Sequence, residues 1–318
     1  MKFSDFLKEL RTDCQLSQLQ MLNKLALNND QFADLTVVTY SRWERGVSTP
    51  PLIKMLNIAK VFNVDIFEFL TTIQFKESKS QIKSFDGFSA HFANVSNHFR
   101  LLQPRLFNEE FCYYGKDEQT PPQNFLASVK KYWNVFLKQQ NTDDNLINTS
   151  YVDNALNNGS LYITSCNEPD DQEVLAQGIY VLQNTHREQS ILDDFSNQTL
   201  SIKKLSCVDN DSDKFIFVPL IALHSTPWLN FNLYNFVKTF TKIKGITKIY
   251  IVASQVKTFS KLKYLGFNIE QTIKSEIKNK IGSSYVKSEI SLHLMSCDFD
   301  EFICNHGLVN LIKHYKDY

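Results

Sequence analysis

The spacing of apolar residues along the chain changes near residue 74. Up to about residue 71 they recur at intervals of three or four, as in Phe3, Phe6 and Leu7. This spacing places them on one face of a helix. Its repetition predicts a compact all-α unit of about five helices over residues 1–73.

A polar stretch separates this unit from the rest of the chain. The segment 74–83, QFKESKSQIK, has no clear apolar stripe, so we predict a linker over residues 74–90. Strands are predicted for LYITSC at 161–166, LSIKKLS at 200–206, KFIFVPLIAL at 214–223, KIYIVAS at 248–254 and YVKSEISLHLM at 285–295. Helices are predicted at 124–140, 233–243, 256–265 and 302–315. The alternation predicts a mixed α/β domain over residues 91–318.

Length and charge limit the possible functions. The 318 residues suit about two domains. The charges of its 34 basic and 34 acidic residues cancel, so the total charge of the chain gives no argument for an anionic partner. Locally, residues 143–213 hold thirteen acidic against three basic side chains, and residues 238–287 hold eleven lysines against two glutamates. Either these are solvated faces that attract each other, or the lysine-rich part contacts DNA phosphate or an anionic ligand.

Other features of the sequence concern location and metal binding. No apolar run approaches the length of a membrane span, and MKFSDFLKEL carries charges where a signal peptide is apolar, so we expect a cytoplasmic protein without a membrane partner. The six cysteines are scattered and lack C-x-x-C spacing, which favours free thiols. Cys304 and His306 are close in sequence, but two ligands do not make a metal site, and we predict none.

The strongest motif lies in the helical unit. Ser17 can cap a helix that opens at Gln18, and a helix N-terminus binds phosphate through its N–H groups. A second helix opens near Thr36 and runs into SRWERGVSTP at 41–50, where Gly46 can supply the left-handed residue that ends a helix. The two prolines that follow prevent its continuation.

This run resembles the hallmark of lambda-repressor-like, or Xre-type, helix-turn-helix domains, which is close to S-x-W-E-x-G-x-x-x-P. The segment LIKMLNIAKVFNVDIFEFL at 52–70 fits the last two helices of that family. In the family, the second helix of the motif lies in the major groove with its N-terminal residues on base edges. The resemblance therefore implies a double-stranded DNA operator as partner.

The resemblance, carried over by position, assigns three kinds of DNA contact. Bases would be contacted by Val37, Val38 and Arg42, the backbone by Thr36 and Thr39, and phosphates by Gln18, Ser48 and Thr49. Valine favours thymine methyl groups, which leaves the arginine as the guanine reader. The interval between the two helix starts is about eight residues longer than in the family, so LALNNDQF must form extra turns or a loop. The register of the second helix is therefore open by about one residue.

Residues 214–267 resemble the core of GNAT-type acyltransferases, with a strand, helix, strand and helix followed by Leu265-Gly266-Phe267. That family needs a glycine-bearing loop after the first strand, because N–H groups must approach the coenzyme A pyrophosphate. The loop falls here at HSTPWLNF, which has no glycine. The position of the family's general-acid tyrosine is Leu262, and Tyr264 is out of phase with it. We therefore expect a GNAT-like domain without acetyl transfer and without a cofactor.

Other catalytic patterns are absent from the sequence: it contains no G-x-S-x-G, P-loop, G-x-G-x-x-G or H-E-x-x-H, so we predict no enzyme. His224, Trp228 and Phe231 follow the predicted strand at 214–223. Strand ends in α/β domains often border ligand sites. These residues either pack in the core or line an apolar pocket for an acyl or other small effector.

Three hypotheses follow from the sequence. The first is a DNA-binding transcriptional regulator whose second domain senses a ligand or mediates dimerisation, with a homodimer on a two-fold symmetric operator. The second is a DNA-tethered acyltransferase or acyl-coenzyme A sensor. The third is a regulator whose second domain binds a partner protein.

Overall fold

The structure, a computed structural model, describes most of the chain. The described residues are 1–102, 110–116, 149–167, 174–197, 208–209, 211–222, 225–253, 256–281 and 284–315. The helix predicted at 124–140, the strand predicted at 200–206 and His224 lie outside them.

The first 73 residues form the five helices that the apolar spacing predicts. They are α1 (Phe3–Asp13), α2 (Gln18–Asn28), α3 (Val37–Glu44), α4 (Leu52–Val61) and α5 (Ile66–Thr72). Ser17 caps α2 in a capping box with Gln20, as side-chain oxygens do at helix N-termini. The insertion after α2 consists of extra helical turns and a 3₁₀ turn, Asp30–Phe32, whose phenylalanine is buried.

The second part is a seven-stranded mixed sheet. Its strands are β1 (Glu110–Tyr114), β2 (Leu161–Asn167), β3 (Val174–Asn184), β4 (Lys214–Ala222), β5 (Ile246–Ala253), β6 (Asn268–Ile281) and β7 (Ser284–Asp298). Their order across the sheet is β1-β2-β3-β4-β5-β7-β6. Strands β4 and β5 are parallel, and the other neighbouring pairs are antiparallel. A mixed α/β domain after an all-α domain is therefore confirmed.

Helices cover both faces of this sheet. Alpha7 (Thr149–Asn157) and α8 (Glu188–Ser196) pack on one face through a cluster that includes Leu156 and Phe195. The other face is covered by α9 (Thr226–Phe240), α10 (Val256–Tyr264), α11 (Phe299–Ile303) and α12 (His306–His314). A parallel β4–β5 pair needs a crossover, and α9 provides it.

The segment predicted as a linker differs from the prediction. Alpha6 (Lys79–Leu102) begins inside residues 74–90, and Phe85 and Phe88 are buried. These two residues follow the polar stretch at the spacing of one helix face, and the face packs against α12, where Gly307 lies against the Phe85 side chain. The segment therefore joins the core of the second part, while the domain boundaries stay predictions.

The helical domain packs directly on the sheet domain through its last two helices. Lys60 of α4 forms an ion pair with Asp300, and Lys244 donates a 2.8 Å hydrogen bond to the side chain of Asn63. The rings of Phe67 in α5 and Tyr234 in α9 meet edge to face at 5.5 Å. One apolar cluster runs through both domains as a result. None of the described helices has the length and hydropathy that a membrane span requires.

Candidate nucleic-acid interface and candidate ligand site

Alpha3 presents one buried and one exposed side. Tyr40 and Trp43 face the core, whereas Val38 is 68% exposed, Val37 is 41% exposed and Arg42 is exposed. A contiguous patch of exposed apolar side chains is a feature of interaction sites. The three residues assigned to base contacts therefore lie together on the open side of α3.

The threonines at the start of α3 hold its first turn. Thr36 is the N-cap, and its hydroxyl accepts a 3.2 Å hydrogen bond from the backbone N–H of Thr39. The two hydroxyl groups are 3.0 Å apart. Thr36 is exposed and Thr39 is half-buried, so both border the open side. Their position beside a helix N-terminus suits a backbone phosphate.

The residues predicted to bind phosphate lie near the C-terminal end of α3, on two different segments of the chain. The backbone N–H groups of Val47 and Ser48 both donate to the carbonyl of Arg42, which folds the turn back on α3. This turn brings Ser48 and the exposed Thr49 beside the arginine. From the start of α2, the Gln18 amide donates a 2.6 Å hydrogen bond to Glu44, the last residue of α3. The same amide nitrogen carries a second N–H.

Sequence reasoning missed the role of Glu44 and Arg11. The carboxylate of Glu44 is almost fully buried and accepts a 2.8 Å hydrogen bond from Nε of Arg11. The same guanidinium donates to the carbonyl of Leu16, so α1, α2 and α3 meet at one charged contact. The pairing with Glu44 raises the pKa of Arg11 above its ordinary value. The sequence shows an acidic residue after Trp43, but it does not show that this residue pairs with an arginine in another helix.

Two further apolar residues extend the open surface. Leu19 is 58% exposed directly after Gln18, and Val47 is 61% exposed after Gly46. Both were absent from the predicted contacts. Their exposure next to predicted contact residues is the feature that could have identified them.

In the sheet domain, β4 and β5 separate at one end. Their pairing runs from Lys214 and Ile246 to Val218 and Ile251, although β4 continues to Ala222. Pro219 follows the last β4 residue that pairs with β5 and has no N–H to donate. The strands therefore diverge beside the start of α9, where the resemblance to acyltransferases places coenzyme A.

The start of α9 does not fit a pyrophosphate. Residues 226–231, predicted as a loop, form its first turns instead, because Ser225 caps the helix and accepts a 3.2 Å hydrogen bond from Trp228 N–H. Pro227 contributes no N–H. The N–H of Leu229 bonds the Ser225 carbonyl. Of residues 226–229, Thr226 alone has an N–H that the described hydrogen bonds leave open, and a phosphate site needs several.

The predicted effector residues form an aromatic cluster. Trp228 is fully buried and stacks on the half-buried Phe231 at 5.9 Å, and Phe111 of β1 contacts both rings. The burial of Trp228 agrees with packing in the core, which is one of the two roles that the sequence allows for it. Any ligand surface here would belong to the exposed part of Phe231.

A buried polar network lies beneath the same helix. Asn232 hydrogen-bonds the hydroxyl of Tyr180 and donates a 2.8 Å bond to Thr164. A Cβ atom on Gly178 would come within 2.6 Å of Asn232 and Thr164, so glycine is required there. Burial raises the pKa of Tyr180 above its ordinary value, which keeps the phenol neutral. The network positions α9 and offers no proton acceptor for catalysis.

Among the described residues, the next candidates for chemistry are Tyr264 and two buried thiols. Tyr264 is 68% exposed and Leu262 is buried, so the position that the resemblance assigns to the general-acid tyrosine carries no hydroxyl. Burial raises the pKa of the Cys297 thiol to about 12 and also raises that of Cys304. Within the part of the chain that the structure describes, no group of three His, Cys, Asp or Glu side chains could hold a metal ion.

A family of known proteins matches the first part of the chain. Residues 7–69 match a family model described as Helix-turn-helix. The first domain is therefore a helix-turn-helix domain of the Xre-like type. Among curated proteins, none matches the chain significantly.

Solved acetyltransferase structures are similar to about 60% of the chain, in its C-terminal part. Arabidopsis thaliana NAA60 in complex with acetyl-CoA has 10% identity and a TM-score of 0.35, covering 61% of this chain and 99% of its own. A probable acetyltransferase from Staphylococcus epidermidis has 11% identity and a TM-score of 0.33, covering 60% of this chain and 99% of its own. Arylalkylamine N-acetyltransferase 2 from Aedes aegypti has 12% identity and a TM-score of 0.32, covering 60% and 99%.

Proposed function

We propose that the protein is a sequence-specific DNA-binding transcriptional regulator whose α3 enters the major groove. The observation that carries the proposal is the open side of α3, where Val37, Val38 and Arg42 are exposed within a matched helix-turn-helix domain. A helix of this motif contacts base edges with its N-terminal residues. The valines then face thymine methyl groups and the arginine a guanine.

The way the two domains pack supports the same use of α3. The described contacts to the sheet domain come from α4, α5 and the residues after them, such as Lys60, Asn63 and Phe67. Alpha3 lies on another side of the helical domain and keeps its exposed residues. The sheet domain can therefore serve dimerisation or sensing without covering the DNA-binding surface. A homodimer would place two such helices on a symmetric operator.

Selection of binding sites from random DNA, followed by footprinting, tests this proposal. Arg42→Ala should relax preference at one base pair and cost about 1–3 kcal/mol on the selected site. Arg45→Ala is the matched control, because it removes the same charge at the C-terminal end of α3. It should change affinity for all sequences alike. If both variants kept wild-type affinity and preference, α3 would not be the reading helix.

The acyltransferase alternative is favoured by one observation, the divergence of β4 and β5 after Val218. The capped start of α9 opposes it, since few N–H groups remain for a pyrophosphate. Calorimetry with acetyl-coenzyme A and a longer acyl-coenzyme A separates the two functions. Saturable binding that Phe231→Ala abolishes would favour the alternative and place the acyl effector beside α9.

A further inference from the structure

The two domains enclose a cleft of about 500 Å³. One wall is the α4–α5 turn, and the other is the turn between α9 and β5 together with α11. Its lining residues from the helical domain are Lys60, Asn63, Val64, Asp65 and Ile66. Clefts between domains are frequent ligand sites in proteins. Neither domain alone would form this one.

The floor of the cleft is apolar and its walls are fixed. Ile246, Phe299 and Ile303 are buried at its base. Both turns contain a residue in the left-handed region, Asn63 at φ 55° and Gly245 at φ 78°. The Gly245 carbonyl also accepts a 2.7 Å hydrogen bond from a backbone N–H of β4. Both turns therefore have a defined backbone conformation, which lowers the entropic cost of ordering them when a ligand binds.

The rim of the cleft carries an excess of positive charge. Lys60, Lys242 and Lys244 line it, against one carboxylate, Asp65. The Asp65 side chain accepts the N–H of Glu68 as the cap of α5, and Lys60 is neutralised by an ion pair. Among the described residues, no carboxylate forms an ion pair with Lys242 or Lys244. Lys244 donates one bond to Asn63 and has two further N–H groups.

We propose that this cleft binds a small organic anion with an apolar body, whose charged group contacts Lys242 and Lys244. An apolar floor takes the body, and the lysines take the charge. The inference goes beyond DNA binding, because it depends on the packing of the two domains alone. A ligand that touches both domains binds their packed arrangement more tightly than a separated one and stabilises that arrangement.

Fluorescence titration of the full chain with two related probes tests the proposal. Anilinonaphthalene sulfonate is an apolar anion, and N-phenylnaphthylamine is its uncharged counterpart. The anion should bind at one saturable site, and the Lys242→Ala/Lys244→Ala variant should weaken it about tenfold while the uncharged probe is unaffected. Lys238→Ala/Lys263→Ala removes two lysines that do not line the cleft and should change neither titration.

A variant that fills the cleft provides an independent check. Ile243 is half-buried in its wall, and Ile243→Trp should abolish binding of both probes. Saturating sulfonate should also raise the melting temperature of the wild type but not that of Ile243→Trp. Equal loss with the control lysine pair, or unchanged anion affinity in the cleft lysine variant, would overturn the proposal. If Ile243→Trp fails to fold, the two lysine pairs decide.

Discussion

The side-chain amide of Gln18 donates a 2.6 Å hydrogen bond to the carboxylate of Glu44 and so joins the start of α2 to the end of α3. Arg11 binds the same carboxylate from α1. A buried carboxylate is stable only where charged and hydrogen-bonding partners compensate for lost water. The relative geometry of α2 and α3 therefore depends on one acidic residue.

Glu44→Ala should destabilise the protein and weaken DNA binding together. The substitution leaves the Arg11 guanidinium and the Gln18 amide without their acceptor, which we expect to lower the free energy of unfolding by about 2 kcal/mol. Urea unfolding followed by tryptophan fluorescence measures the loss. Glu9→Ala, at an exposed position of α1, is the control and should change stability by less than about 0.5 kcal/mol. Equal stability of the two variants would contradict a structural role for Glu44.

Substitution of two glycines by alanine should have opposite effects on stability, because one glycine is needed for close helix packing and the other only lowers helix propensity. A Cβ on Gly307 would lie 2.3 Å from the Cβ of Phe85, whereas one on Gly87 would meet only the end of a lysine at 3.5 Å. Gly307→Ala should lower the free energy of unfolding by about 1–3 kcal/mol, because α6 and α12 must move apart. Gly87→Ala should raise it by up to about 1 kcal/mol. Thermal unfolding of both variants, compared with wild type, measures the difference in sign.

Helices and strands could be predicted from the sequence where their apolar residues recur on one face of the element. The five helices of the first domain have a clear apolar stripe, and Ser17 and Gly46 mark helix ends. Strand β3 was missed because nearly every residue in it is buried, so its sequence has no alternation of polar and apolar positions.

Contacts between distant segments could not be predicted. The packing of Phe85 on Gly307 and the pairing of Arg11 with Glu44 depend on how separate helices meet, and no local spacing reports that. For the candidate site, the exposed residues of α3 were identified from the motif. The charged contact behind them and the cleft beside α4 were not, because both arise only from tertiary packing.

The contact between the start of α6 and α12 should weaken at low pH. Nδ1 of His306 accepts a 2.6 Å hydrogen bond from the backbone N–H of Ser78, and burial lowers the pKa of the imidazole, partly offset by Glu77. The folded state therefore binds the proton less readily than the unfolded state, whose histidine titrates near pH 6.5. Stability should be constant above that pH and fall as pH drops from about 6.5 through the folded pKa.

Melting temperatures between pH 7.5 and pH 5 test this dependence. His306→Ala should be less stable at pH 7.5, since Ser78 loses its acceptor, but should lose less on acidification. His186→Ala removes an exposed histidine and should follow the wild-type curve. A variant at position 306 that kept the full acid dependence would show that other groups cause it.

The salt dependence of DNA binding should be shallow. The first 73 residues hold eight basic and eight acidic side chains, and two of the basic ones, Arg11 and Lys60, are held in ion pairs. Of the other six, Arg42 and Arg45 are exposed on α3 and directly after it, so we expect these two to supply the charged DNA contacts, about four in a dimer. Each phosphate contact contributes about −0.9 to the slope of log affinity against log salt, so we expect a slope near −4 or shallower. Lys242→Ala and Lys263→Ala should leave that slope unchanged; a reduced slope in either would mean that the lysine-rich stretch at 238–287 also touches the duplex.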